Sequence, residues 1–164
     1  MHYHMNINDT LRKAGWTGNS QLTAKGEWKR VNGLKKQYAK KGFPNAVLER
    51  TYTREDSANA DEETLAVEQV IHVLMGNAGL HAGNQEIHGD GWTEVFKVSR
   101  SQLAGYFMKA VQICKNLNWD SEKIVDWLEA YCTKKFGVVS WSEHCYGEPK
   151  EHGNPLKIAI ESRG

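Results

Sequence analysis

Several signatures are missing from this 164-residue chain, and each absence removes a class of function. It has no G-x-x-x-x-G-K-[ST], and its glycine-rich stretch, residues 76–91, follows an expected helix rather than a strand. Both features argue against a phosphate-cradling NTPase or dinucleotide loop. There is no H-E-x-x-H, and the three cysteines (Cys114, Cys132, Cys145) never form C-x-x-C, which argues against a zinc ribbon, a redox pair or a disulfide framework. No run approaches the roughly 18 apolar residues that cross a bilayer, and the first residues lack the apolar core of a signal peptide. The expectation is a cytoplasmic protein with reduced thiols and no membrane partner. Without internal repeats, low-complexity tracts or a Pro/Ser-rich linker, residues 1–164 read as one domain, with about ten N-terminal residues free to be flexible.

Lysine and arginine are also missing from Glu55 to Asp90, a stretch with eight acidic residues and a charge of −8. Leu11 to Arg50 is the reverse, with ten Lys or Arg against Glu27 and Glu49, or +8. The net charge of +1 is a cancellation of these two segments.

Hydrophobic content of 40% and charged content of 25% are those of a globular chain. Periodicity predicts a helix over Glu27 to Lys41, with Trp28, Val31, Leu34 and Tyr38 on one arc and Lys25, Lys29, Lys36 and Lys40 opposite. Gly42 and Pro44 end it. Ala46 to Thr53 suits a strand. A mostly buried helix should follow to Met75, started by Asn59 or Asp61, with Glu68, Gln69 and His72 as its narrow polar stripe. Residues 76–91 read as a long loop and Trp92 to Val98 as a strand. A helix capped by Ser99 or Ser101 then carries Leu103, Phe107, Ala110, Cys114 and Leu117 on one face, and another spans Ser121 to Lys135. Val138 to Tyr146 and Leu156 to Ile160 suit strands. The sum is an α+β fold with three to four helices and a small, largely antiparallel sheet.

The leading functional expectation is a non-enzymatic binding protein. Lys25, Lys29, Arg30, Lys36, Lys40 and Lys41, interleaved with aromatics, would engage nucleic acid, or else a partner protein. A second expectation is a metal-dependent hydrolase holding a divalent cation through His81, Glu86, His88 and Asp90, because imidazole and carboxylate at close spacing suit Zn²⁺, Mn²⁺ or Fe²⁺. A third is an acidic interaction or inhibitor module displaying Glu62, Glu63 and Glu68.

Other constellations are weaker. A zinc site from Cys132, Cys145, His152 and His144 has no spacing that enforces it, and Cys145 beside His144 points to the opposite face of a strand. Helix carboxylates at Glu62, Glu63, Glu68, Glu122, Asp126 and Glu129 look like first-turn or solvent-facing residues rather than a Mg²⁺ cage. Glu122, Asp126 and Glu129 also make the second of the two C-terminal helices too acidic to enter a DNA groove as a helix-turn-helix.

Overall fold

The computed structural model describes residues 1–18, 22–55, 57–82, 94–136 and 155–162. Among these, the chain runs β1 (His2–Asn6), β2 (Leu11–Trp16), α1 (Lys29–Lys40), β3 (Val47–Tyr52), α2 (Ala60–Asn77), β4 (Val95–Lys97), α3 (Arg100–Asn116), α4 (Ser121–Phe136) and α5 (Pro155–Ser162). The four strands form one antiparallel sheet in the order β3-β1-β2-β4, so the fold is α+β as expected.

The sheet begins with a hairpin. Asn8 Oδ1 accepts from Thr10 N (2.9 Å) and Leu11 N (2.9 Å), an Asx turn that reverses the chain between β1 and β2. Pairing sets Tyr3 against Gly15 and Met5 against Lys13. Because strand side chains alternate, Tyr3, Met5, Gly15 and Lys13 share one face, and His2, His4 and Ala14 the other. On the first face Met1, Tyr3, Met5 and Ile7 pack with Val31, Leu34 and Tyr38 of α1. On the second, Ala14 and Phe96 pack with α2, α3, α4 and Leu156 of α5.

α2 lies at the centre of that second layer, contacting β1, β2, α3, α4 and α5, and every residue from Glu63 to Met75 is buried. A helix covered all round must be apolar nearly all round, and this one is. Its three polar interior residues, Glu68, Gln69 and His72, are the exceptions that need partners.

Several expectations hold. Val31, Leu34 and Tyr38 are the buried face of α1, and Gly42 ends that turn in the left-handed region (φ 94°). Ser99 caps α3 with a full capping box: its hydroxyl accepts from Gln102 N, and Gln102 Oε1 accepts from Ser99 N. Leu103, Phe107, Ala110 and Cys114 form the buried stripe of α3.

Others are corrected. Leu156 to Ile160 is helical, inside α5, not a strand: Pro155 occupies the first helical position that proline favours, and a short apolar run fits either periodicity. The N-terminal residues allowed to be flexible instead form β1, hydrogen-bonded on both sides at the middle of the sheet. The helices number five among the described residues, against three to four expected. Lys25 precedes α1 rather than lying on it, and of the strand expected from Trp92 the described part is Val95–Lys97. The strand expected at 138–146 lies outside the described residues.

Candidate functional site

Polar side chains from both faces of the sheet and from two helices come within electrostatic range of one another around Glu94. β1 contributes Tyr3, β2 contributes Lys13, α1 contributes Arg30 and Tyr38, α2 contributes Glu68 and His72, and the turn before β4 contributes Glu94. Tyr3, Lys13, Tyr38, Glu68 and His72 are all buried, whereas Arg30 is exposed and Glu94 partly so. Burying such groups costs several kcal/mol each unless they are paired, so their convergence is unlike an ordinary core.

Lys13 Nζ lies 2.8 Å from Glu94 Oε2, with the lysine wholly buried. Burial alone would raise the Glu94 carboxyl; the charges of Lys13 and His72 outweigh it and hold the group ionised, below the usual carboxylate range. His72 Nε2 is 2.7 Å from the carbonyl oxygen of Ala14. A carbonyl only accepts, so Nε2 carries the hydrogen, and this bond fastens α2 to β2 between Lys13 and Gly15. The same Nε2 is 3.7 Å from Glu68 Oε1.

Tyr3 lies flat over Gly15: a Cβ built there would be 2.5 Å from the Tyr3 hydroxyl and 2.6 Å from Cζ. Only glycine leaves room for the phenol at this register. Burial, and then the Glu94 charge, raise the Tyr3 phenol above its ordinary value, with Arg30 pulling the other way. Tyr38 is raised for the same reasons in the same order, against the same arginine. Both phenols therefore stay protonated at neutral pH.

The residues expected from sequence divide. Lys25, Lys29, Arg30, Lys36, Lys40 and Lys41 are all exposed, and Lys29, Lys36 and Lys40 share the outer side of α1, opposite Val31, Leu34 and Tyr38. Arg30, on the same helix, reaches the tyrosines instead. His81 is half-buried edge-on to Phe96 (ring centroids 5.7 Å) in a bridge beside β4, and burial lowers its pKa. Glu86, His88 and Asp90 lie outside the described residues. Among the described residues, no group of three or more His, Cys, Asp or Glu is placed to hold a metal ion.

Glu63 and Glu68 are buried, which overturns both their expected display on an acidic face and the solvent-facing reading of Glu68. Glu63 accepts from Arg54 Nε (2.7 Å) and Ser57 Oγ (2.6 Å). Half-buried Glu62 accepts from Ser121 Oγ (2.7 Å). Glu122, Asp126 and Glu129 are exposed on α4 as expected. Cys114 is a core residue whose thiol is pushed up to about 12 by burial, Arg54 opposing, so it is unreactive. The Cys132 side chain, His144, Cys145 and His152 lie outside the described residues.

Sequence reasoning missed the convergence of Tyr3, Lys13, Tyr38 and Glu94. One signal was present: a Glu and a His four apart inside an otherwise apolar helix, the pattern that marks Glu68 and His72. No family model, no curated protein and no solved structure matches this chain.

Proposed function

We propose that the protein binds nucleic acid along the cationic side of α1 and hydrolyses a phosphodiester at the Tyr3, Arg30 and Glu68 cluster at its base. The observation that carries this reading is the convergence of two buried phenols, two cations and a buried carboxylate from four elements, continuous through Arg30 with the lysine-bearing helix. Strongly perturbed groups assembled from distant segments are the mark of a reaction centre rather than of a packing core.

The chemistry follows from the states of the groups. A phosphodiester in transfer gathers negative charge on its oxygens, which fixed cations stabilise, and the exposed Arg30 supplies that field, Lys13 being neutralised by Glu94. The Tyr3 and Tyr38 hydroxyls, buried beneath α1, would donate to phosphate oxygens or to the leaving oxygen once α1 moves off the sheet. Glu68 is assigned to take the proton of an attacking water, Glu94 being engaged by Lys13. Lys29, Lys36 and Lys40 hold the flanking phosphates without reading bases.

Single- and double-stranded DNA and RNA, incubated with the full chain and Mg²⁺ or Mn²⁺, test the reading. Cleavage by the wild type, with Glu68→Gln and Tyr3→Phe retaining binding but losing at least about a hundredfold in rate, is the expected result. Intact substrate throughout removes the hydrolytic role. Failure of every nucleic acid to bind at low salt removes nucleic acid as partner and leaves the cationic helix to a protein.

A further inference from the structure

β1 serves two faces. While Tyr3 points toward α1, its neighbours His2 and His4 point into the opposite layer, where they are 0% and 2% exposed. Their Nε2 atoms are 2.8 Å apart, so one ring donates and the other accepts, an arrangement open only to neutral imidazoles or to a pair holding a single extra proton. Both rings grip Phe107 of α3: His2 stacks on it (5.8 Å, 3°) and His4 meets it edge-on (5.3 Å, 88°). Tyr52 adds a second edge (5.2 Å), and the Arg50 guanidinium lies over the same ring at 4.9 Å.

We propose that the His2 and His4 pair is an acid-sensitive latch fastening α3 to the sheet, closed while the rings are neutral and opened when they take up protons.

The surroundings are hostile to added positive charge. β3 presents Arg50 and Tyr52; α2 presents His72; β1 itself brings the Met1 ammonium, while a backbone hydrogen bond at Gly15 works the other way on His2. A cavity of about 20 Å³ beside His4, room for a water, is lined by Glu49, Arg50 and Arg100. Of the carboxylates here, Glu49 is held by Arg12 (Nε to Oε2 3.1 Å) and Glu68 stands beside His72. Burial first, then Arg50 and His72, hold His4 down to about 3; burial first, then His4 and His72, hold His2 well below its ordinary value.

The sign follows. In the unfolded chain both imidazoles take up protons below about pH 6.5, whereas in the fold they do not. The latch is therefore at full strength above that pH and weakens as pH falls toward the folded values. Each ring makes the closed state about tenfold less favoured per pH unit, so the pair gives up to about a hundredfold. Tyr3 lies between the two histidines, so opening also disturbs the proposed reaction centre; that consequence rests on the functional reading, but the latch does not.

Ring-resonance titration of His2 and His4 in the full chain, with proximity to Phe107 monitored in parallel, decides it. Both histidines should stay neutral while Phe107 remains beside them, and that proximity should vanish at a higher pH than the cross-strand pairing of β1 with β2. Denaturant midpoints should fall on acidification, and a folded His2→Gln/His4→Gln variant should flatten that fall. Either ring titrating near 6.5 with Phe107 still beside it, or Phe107 and the sheet coming apart together, overturns the latch.

Discussion

At the scale of single residues, both the fold and the site depend on side chains whose neighbours leave no slack. Gly15→Ala would place a methyl group against the Tyr3 phenol, 2.5 Å from its hydroxyl and 2.6 Å from Cζ. Overpacking of this kind costs about 1–3 kcal/mol, so a denaturation midpoint should fall accordingly and Tyr3 should move from its seat. Lys13→Met removes the partner of Glu94 while leaving that carboxylate only 21% exposed. The expected loss is about 2–3 kcal/mol, below the full cost of orphaning a wholly buried charge because water still reaches Glu94. An unchanged unfolding curve for Lys13→Met would show that the pair is not held. Neither residue was legible beforehand. Lys13 is one of ten cations in its stretch, and nothing in the sequence says that two of them, Lys13 and Arg12, are buried and neutralised by Glu94 and Glu49.

Elements were readable where local chemistry and burial agree. α3 has its cap and its stripe within its own sequence, which locates its start to within a residue or two. Ser99→Ala should lower stability by about 1 kcal/mol, measured by denaturant unfolding, because Gln102 N loses its acceptor. β1 and β2 were missed for another reason. Residues 2–7, His-Tyr-His-Met-Asn-Ile, do alternate polar and apolar, but the polar side is buried as well, with both imidazoles packed on Phe107, so the strand is not the half-exposed one that alternation marks. β2 hides Arg12 and Lys13 in the same way, each matched by a carboxylate far away in sequence. α5 failed for a different reason: four apolar residues within 156–160 satisfy a strand as well as one helical turn, and only packing on α2 and α4 decides between them.

For the whole molecule, folding takes charge inward from both charged stretches. The acidic stretch goes inward in part, where Glu63 meets Arg54 and Glu68 meets His72, while the basic stretch keeps its α1 cations at the surface. Burial takes in two cations, Arg12 and Lys13, and two acids, Glu63 and Glu68, so it leaves the balance unchanged; what is one-sided is the outer side of α1, where Lys29, Lys36 and Lys40 gather. Affinity for nucleic acid should fall with salt, and Lys29→Ala/Lys36→Ala/Lys40→Ala should reduce the log–log slope by about 2–3, close to one for each phosphate that a lysine no longer neutralises. An unaltered slope would place the interface elsewhere. The charge split was visible in the sequence, as was the outward face of α1; the polar cluster around Glu94 was not, since it is assembled by strand register from residues up to 91 positions apart.

The central claim, that α1 binds and the cluster beneath it reacts, is tested most directly by steady-state cleavage kinetics on one nucleic-acid substrate. The α1 triple variant should raise KM with kcat nearly unchanged, and Glu68→Gln should lower kcat with KM nearly unchanged. Absence of cleavage by the wild type, or a Glu68→Gln variant as fast as the wild type, would contradict the account.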